Sequence, residues 1–258
     1  MLVGDDTDLL VLLLYHADTA SHRIYFKPEP KKDAKKIRTW DIKQAKETLG
    51  ADICKNILFV HALLGCDTTS RLHGVGKGVA LDKERSGQFI CITEVFNDSN
   101  ATQDEVIKAG ERALMSIYKG DANDTLDSLR YKRFREKVAK SNSYVEANSL
   151  PPTCAAARFH SLRVFYQVQE WKGNSGQMKP EEWGWHNIDG SLVPLKTDLP
   201  AAPEEILRLF RCNCKTGCVT GRCTCKKHGL ECTYACGDCK GLSCSNSSKP
   251  VVEEDTVD

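Results

Sequence analysis

Nine of the thirteen cysteines in this 258-residue chain lie between residues 212 and 244. Their spacing is C-x-C-x3-C-x4-C-x-C-x6-C-x3-C-x2-C-x4-C, and they are Cys212, Cys214, Cys218, Cys223, Cys225, Cys232, Cys236, Cys239 and Cys244. A disulfide framework fits poorly, because the number is odd and a C-x-C pair is awkward to bridge. The intervening Lys, Thr, Gly and Asn residues have too little apolar bulk for a core. We therefore expect bound metal to organise this segment.

Zinc is the metal ion that a cage of soft thiolates favours. Three tetrahedral zinc ions need about twelve bonds in total. Six terminal thiolates and three bridging thiolates supply these bonds and use all nine cysteines, so His228 is not needed as a ligand. The sequence therefore predicts a module with about three zinc ions.

The cysteine segment resembles the tesmin-type CXC domain, a DNA-binding module with three zinc ions and nine cysteines. The resemblance covers about 35 residues and rests on Cys212-Asn213-Cys214-Lys215, Cys223-Thr224-Cys225, the six-residue gap to Cys232, and Cys244-Ser245-Asn246. It implies contact with the minor groove of DNA. Arg222 stands where the family usually has an aromatic residue, and the last cysteines are spaced differently. An arginine is itself suited to a narrow minor groove.

Electrostatics allow DNA binding only through a local patch, because the formal net charge of the whole chain is +1. The candidate contacts in the module are Lys215, Arg222, Lys226 and Lys227. Its side chains carry +4, and three zinc ions with nine thiolates reduce this to about +1. We expect weak, salt-sensitive binding. The alternative is a zinc-organised surface that binds protein.

The N-terminal region combines aspartates with an apolar run. Asp5 and Asp6 precede residues 8–15, which begin with Asp8 and continue as an apolar run that predicts a strand buried on both faces in a parallel sheet. Carboxylates gathered at the end of such a strand can hold Mg²⁺ or Mn²⁺. The run is too short to span a membrane, and acidic residues stand where a signal peptide needs positive charge.

Local signals predict the other elements. They are a strand over 23–26, a helix over 51–64 ending at Gly65, a helix after a Thr102–Glu105 capping box, a helix capped by Asp124, a helix of about twenty residues from Thr153, a turn at Asp189-Gly190, and a helix over 204–210 opened by Pro203. The helix capped by Asp124 would carry Leu126, Leu129, Phe134 and Val138 on one side.

Residues 74–80 (Gly-Val-Gly-Lys-Gly-Val-Ala) form a glycine turn that can open a helix and direct backbone N–H groups at a phosphate. It looks like the turn of a helix-hairpin-helix element. Together with Gly4-Asp5-Asp6-Thr7-Asp8 and Gly65-Cys66-Asp67, it resembles the C-terminal half of a flap-endonuclease-type (PIN-like) nuclease. The resemblance implies that Asp6, Asp8 and Asp67 are metal ligands and that Gly74, Gly76 and Lys77 contact the DNA backbone.

The order of motifs along the chain also resembles a transposon-associated family. In that family a nuclease half is followed by a Pro-Pro-Thr helix, a Trp-Gly-Trp segment and a CXC tail, here residues 151–153, 183–185 and 212–244. Such nucleases take further carboxylate ligands from upstream segments. Because this sequence starts four residues before Asp5, we expect those ligands to be missing and the nuclease-like part to be inactive alone.

The sequence thus predicts a mixed α/β chain in four parts. They are a truncated nuclease-like domain over 1–145 with its glycine turn near 65–85, a helical and Trp-rich connecting region over 146–205, a zinc module over 206–246, and a disordered acidic tail over 247–258. The favoured function is zinc-dependent DNA binding in the nucleus by a protein of mobile-element origin. Alternatives are an active structure-selective endonuclease, if a longer form restores the acidic ligands, and a protein-interaction scaffold.

Overall fold

The computed structural model of this chain describes residues 1–29, 39–140, 145–198, 212–215, 217–232, 236–242 and 244–247. The chain divides into two compact units, residues 1–198 and 199–258. The predicted helix over 204–210 and the predicted acidic tail beyond Ser247 lie outside the described residues. None of the described helices is long and apolar enough to cross a membrane.

The described part of the first unit is a set of helices with two small sheets, which confirms the mixed α/β class. Its helices are α1 (Thr7–His16), α2 (Ile42–Leu49), α3 (Ala51–Leu64), α4 (Lys77–Arg85), α5 (Ile90–Asn97), α6 (Gln103–Ile117), α7 (Leu126–Lys140) and α8 (Cys154–Lys172), with 3-10 turns at Ala147–Ser149 and Pro180–Trp183. Its strands are β1 (Leu2–Val3), β2 (Tyr25–Lys27), β3 (Trp40–Asp41), β4 (Trp185–Ile188) and β5 (Ser191–Pro194).

The strand predicted for residues 8–15 is wrong, because these residues form helix α1. The Asp6 side chain caps the helix by accepting a hydrogen bond from the Asp8 N–H at 2.9 Å. A short apolar run cannot be assigned to strand or helix by periodicity alone, and leucine favours helix. The parallel strand that precedes the aspartates is instead β1, which pairs in parallel with β2.

The first sheet has the strand order β1-β2-β3, with β2 and β3 antiparallel. Strand β2 confirms the strand predicted near residues 23–26. Asp5, Asp6 and Asp8 thus follow the carboxyl end of β1, whereas the sequence predicted that they precede a strand.

Helices α3, α6 and α8 form the core of the first unit. Nearly every residue of α3 from Ile53 onward is buried, and the helix ends at Gly65, whose φ of +106° lets the chain turn sharply. The capping box of Thr102 and Glu105 starts α6, and Thr153 caps α8, both as predicted. The closest approach is between α6 and α8, where Gly110 faces Ser161.

Helix α7 differs from its prediction in two respects. Its cap is Thr125, whose hydroxyl accepts the Ser128 N–H at 3.2 Å, while Asp124 receives the Ser128 hydroxyl and pairs with Lys132. Leu126 and Leu129 are buried, but Phe134 and Val138, predicted for the same buried side, are 42% and 50% exposed. Only the first turns of the helix lie against the core, so the apolar stripe is not buried along its length.

Strands β4 and β5 form a hairpin around the predicted turn. Asp189 and Gly190 have φ values of +50° and +80°, as a two-residue type I′ turn requires. The preceding 3-10 turn places Trp183 in the core, stacked on Phe165 of α8 with ring centroids 4.6 Å apart. Residues of the predicted connecting region thus pack in the same core as α3 and α6.

A methyl group at Gly110 is expected to destabilise the first unit. The added Cβ would lie 1.9 Å from Ser161 Oγ and 2.4 Å from Ser161 Cβ, so the two helices would have to separate. We expect Gly110→Ala to lower the free energy of unfolding by about 1–3 kcal/mol. Tryptophan fluorescence during urea unfolding measures this, because all four tryptophans lie in the first unit.

Gly78→Ala is the matched control, because a Cβ at Gly78 in helix α4 meets no atom within 4 Å. Since alanine is the better helix former, this variant should be as stable as the parent or more stable by up to about 1 kcal/mol. Equal destabilisation by the two variants would contradict the close packing of α6 on α8.

Candidate metal centre

The nine cysteines from 212 to 244, here called the cysteine cluster, bring their sulfur atoms together. Seven are buried and Cys214 and Cys244 are half-buried, and none of the thirteen cysteines of the chain forms a disulfide. Cys212 Sγ lies 3.8 Å from the sulfur of Cys218 and 3.8 Å from that of Cys232. Four sulfurs placed tetrahedrally around one zinc ion are about 3.8 Å apart. The spacing therefore fits thiolates that share a metal ion.

Three groups of four cysteine sulfurs have all members within 4.8 Å of one another. They are Cys212, Cys223, Cys225 and Cys232; Cys212, Cys214, Cys218 and Cys223; and Cys212, Cys218, Cys232 and Cys239. The remaining two cysteines are close to these groups: Cys236 Sγ lies 3.5 Å from Cys225 Sγ, and Cys244 interacts with Cys232 and Cys239. Because the groups overlap, the cluster can hold metal ions that share bridging sulfurs.

Short turns rather than long elements place these sulfurs. Cys223 caps the one-turn helix α9 (Thr224–Lys227), and Cys218 has a φ of +52°, so the backbone bends at both residues. The Gly237 N–H donates to the Cys212 carbonyl oxygen at 2.9 Å, which ties the later turns to the first cysteine. The segment has no apolar core apart from the sulfurs themselves among its described residues.

Asn246 supports the cluster from outside. Its side-chain Nδ2 donates to Cys232 Sγ at 3.4 Å and to the Leu230 carbonyl oxygen at 2.9 Å, and its own carbonyl oxygen accepts the Cys232 N–H at 2.6 Å. The Lys226 N–H likewise donates to Cys223 Sγ at 3.5 Å. Hydrogen bonds of this kind orient ligands and stabilise the thiolate form.

The thiols differ in their readiness to ionise. Burial raises the pKa of Cys225 to about 12 and also raises the pKa of Cys218 and Cys232. Burial opposes ionisation of Cys223 as well, but hydrogen bonds from the Lys226 N–H and from neighbouring thiols lower its pKa to about 6. Thiolates this close repel one another, so full ionisation requires a cation among them. Divalent metal ions supply that charge.

The predicted DNA contacts of the module are all exposed. They are Lys215, Arg222, Lys226 and Lys227. Lys226 also donates from Nζ to the Val219 carbonyl oxygen at 2.7 Å, so its ammonium is held near α9. Two apolar side chains, Val219 and Leu242, are 65% and 78% exposed.

The predicted magnesium ligands are not assembled in the part of the chain that is described. Asp6 caps α1, Asp8 accepts from His61, and Asp67 lies exposed after α3. Across residues 1–29, 39–140 and 145–198, no three Asp, Glu or His ligand atoms lie within 4.8 Å of one another. The carboxyl group of Asp8 is instead directed to a histidine.

His61 is the residue of this region that sequence reasoning missed. Its side chain is 4% exposed and stacks on Trp171, with ring centroids 5.8 Å apart. Lys77 Nζ donates to His61 Nδ1 at 3.1 Å, so the ring proton lies on Nε2 and is donated to Asp8 Oδ1 at 2.6 Å. The sequence did contain a signal for this residue, because His61 is the single histidine within the apolar run 57–64. A helix that buries this run buries the histidine with it.

The glycine turn ends at α4 as predicted. Gly74 has a φ of +72°, Gly76 caps the helix, and Lys77 is its first residue. Helices α3 and α4 thus flank the turn in a helix–loop–helix arrangement. The ammonium of Lys77, predicted to contact DNA, is hydrogen-bonded to His61, which connects the turn to the aspartate loop.

Comparison of the chain with models of known protein families, with curated proteins and with solved structures finds no match. Its function must therefore be inferred from its own residues. The described residues offer two starting points, the cysteine cluster and the residues around the aspartate loop.

Replacing Asn246 should weaken metal retention. Asn246→Ala removes the N–H donated to Cys232 Sγ, and loss of such a supporting bond costs about 10- to 100-fold in metal affinity. Competition between the protein and a coloured chelator measures zinc release. Thr224→Ala, at an exposed position on α9, should leave release unchanged. Release at the parental rate from Asn246→Ala would contradict the supporting role.

Replacing His61 should destabilise the first unit. His61→Phe keeps an aromatic ring beside Trp171 but leaves Asp8, 20% exposed, without its partner, and we expect a loss of about 1–3 kcal/mol. Urea unfolding measures it, with His186→Phe at an exposed hairpin position as the control. Asp8→Ala should lower the free energy of unfolding by less in the His61→Phe background than in the parent protein. If the losses from the two substitutions are additive, the two side chains are not coupled.

Proposed function

We propose that this chain is a zinc-dependent DNA-binding protein. The observation that carries the proposal is the sulfur spacing of 3.5–3.9 Å within the cysteine cluster, which suits tetrahedral zinc–thiolate coordination. Nine cysteines in this order also resemble the tesmin-type CXC domain, whose function is DNA binding. The exposed basic side chains on the module supply a surface for phosphates.

The sulfur groups support three zinc ions with a particular division of ligands. Cys218, Cys223 and Cys232 each belong to two of the three groups and link the groups pairwise, whereas Cys212 belongs to all three. Because a bridging thiolate joins two zinc ions, we assign Cys218, Cys223 and Cys232 as the bridging thiolates and Cys212 as a terminal ligand. The terminal ligands would then be the pairs Cys212 with Cys214, Cys225 with Cys236, and Cys239 with Cys244. Each zinc ion receives two bridging and two terminal sulfurs, and no cysteine is left over.

DNA contact would be made by Arg222 and the three lysines Lys215, Lys226 and Lys227. Three zinc ions and nine thiolates bring the net charge of the module to only about +1. The affinity for DNA must therefore come from the positions of the basic side chains rather than from the net charge. Such binding weakens steeply as salt is raised. Arg222 is the residue best suited to insertion in a narrow minor groove.

The first unit is proposed to be an inactive relative of flap-endonuclease-type nucleases, in a protein of mobile-element origin that acts in the nucleus. In support, Asp6, Asp8, Asp67 and the glycine turn follow the order of that family. Against catalysis, Asp6 and Asp8 are engaged in a helix cap and a histidine bond instead of forming a carboxylate pair for two metal ions.

A second candidate function is a zinc-organised surface that binds another protein. It is favoured by Val219 and Leu242, which are 65% and 78% exposed on a module with few other apolar side chains. Exposed apolar groups beside polar ones are a property of protein-binding surfaces. DNA binding and protein binding predict opposite results in a direct binding assay.

Metal content and DNA binding of the same preparation test the proposal. We expect about three zinc ions per chain by elemental analysis. A labelled duplex should shift in a native gel at low salt, and chelation should abolish the shift. Denaturing lanes with flapped DNA and Mn²⁺ should show intact DNA. Zinc-loaded protein that leaves DNA unshifted at low salt would favour the protein-binding function.

Two variants and a control separate metal from DNA contact. Cys223→Ser removes a bridging ligand and should abolish the shift together with most bound zinc. Arg222→Ala should keep the zinc and weaken DNA binding by about tenfold, while Lys240→Ala, an equally exposed cation outside the predicted contacts, should have a smaller effect. Cleavage lost in Asp67→Ala would show that the nuclease-like part is active.

A further inference from the structure

A cavity of about 300 Å³ in the first unit is lined by cationic and neutral residues only. It lies between the loop after α3, the start of α7, the 3-10 turn Ala147–Ser149 and helix α8. None of its fourteen lining residues is Asp or Glu. Those that carry or can gain a positive charge are Arg71, His73, Arg130, His160, Arg163 and Lys196.

This composition sets the cavity apart from three other cavities of the first unit. One is lined by Asp52, Glu84, Glu94 and Asp98, another by Asp41, and the third by Glu111, Asp121 and Asp124. Each of those therefore has at least one carboxylate in its wall. The cavity beside α8 alone among the four concentrates positive charge without a carboxylate in its wall.

Arg163 is the strongest indication of an anion site among these residues, because its guanidinium is buried and has no carboxylate partner among the described residues. The residue is 2% exposed and, among the described residues, forms no ion pair. Its NH1 donates to the Gly184 and Leu195 carbonyl oxygens and its NH2 to Ser70 Oγ at 3.4 Å, while Nε has no partner. A buried charge held only by neutral acceptors is costly, and a bound anion would offset that cost.

Arg130 is held in a similar way at the other side of the cavity. Its guanidinium donates to the Pro151 carbonyl oxygen at 2.5 Å and to the Ala147 carbonyl oxygen at 3.1 Å. Asp127, whose charge acts on Arg130, accepts the Cys154 N–H at 3.1 Å and forms no ion pair among the described residues. Two guanidinium groups are thus fixed by backbone oxygens before any ligand arrives, and such preorganisation favours anion binding.

His160 adds a hydrogen-bond acceptor to this cationic wall. Its Nε2 donates to the Leu63 carbonyl oxygen at 2.9 Å, and its Nδ1 is buried with no partner. Burial lowers the pKa of His160 to about 4, so the ring is neutral at pH 7 and Nδ1 presents a lone pair. A ligand that suits both guanidinium and Nδ1 carries negative oxygens and one O–H group.

We propose that this cavity binds a phosphate monoester, such as the phosphate of a mononucleotide or the terminal phosphate of a nucleic acid strand. With a second pKa of about 6, a monoester keeps a proton in part of its population near neutral pH, whereas a phosphodiester and sulfate keep none. The inference is independent of the zinc module, because every lining residue lies between Ser70 and Lys196 in the first unit.

Calorimetric titration of the full zinc-loaded chain, dialysed free of unbound zinc, tests the proposal. Inorganic phosphate is the first probe and sulfate is its proton-free counterpart. We expect phosphate to bind at least tenfold more tightly than sulfate. Equal affinity for the two anions would overturn the assignment to a phosphate monoester, and absence of phosphate binding would overturn the site altogether.

Further arms identify the source of the phosphate. AMP and adenosine form one pair of probes, and a short oligonucleotide with and without a 5′ phosphate forms the other. Tighter binding of the phosphorylated member of either pair supports the site and shows which source it accepts. Equal binding of both members in both pairs would contradict it. Cys223→Ser should leave phosphate affinity unchanged, so failure of the zinc module and failure of this site are distinguishable.

Variants at exposed positions avoid the risk of unfolding. Arg71→Gln and Lys196→Gln each remove one charge from the cavity wall and should weaken phosphate binding by about tenfold. Arg85→Gln is the matched control, because Arg85 is an exposed arginine paired with Asp82 and lies outside the cavity. An equal loss of phosphate affinity in Arg85→Gln would mean that phosphate binding depends only on the overall charge of the protein, which would overturn the site.

Discussion

Repulsion among closely packed thiolates is the constraint on which the second unit depends. Each of the seven buried cysteines has another cysteine sulfur less than 4 Å from its own, and the turns around them bury little else. Because thiolates packed this closely repel one another, a metal ion bound among them would couple metal binding to folding. The short helix α9, the left-handed Cys218 and the hydrogen bonds of Asn246 all serve to place sulfur atoms.

The first unit depends on a different interaction, the burial of α3 against α1, α4 and α8. This packing positions three features at the ends of helices: the aspartate loop before α1, the glycine turn before α4, and the cationic cavity beside α8. His61 connects the first two by accepting from Lys77 and donating to Asp8.

Local signals predicted those elements whose cause is local. The capping box of Thr102 and Glu105, the cap at Thr153 and the turn at Asp189-Gly190 depend on neighbours within four residues, and each was confirmed. Residues 8–15 were misassigned because an unbroken apolar run is compatible with a strand or with a helix packed on more than one side. The Asp124 cap was wrong because Thr125 offers a hydroxyl one residue closer to the helix.

The amino-acid sequence by itself determined the chemistry available to this protein. Thiolate spacing identified the metal-binding segment, because ligand type and number are properties of the residues. Tertiary structure alone decided which sulfurs lie within reach of one metal ion, that His61 meets Asp8 across 53 residues, and that Arg130 and Arg163 line one cavity without a carboxylate. These facts depend on contacts between helices far apart in the chain, and no local pattern encodes the distance between two such side chains.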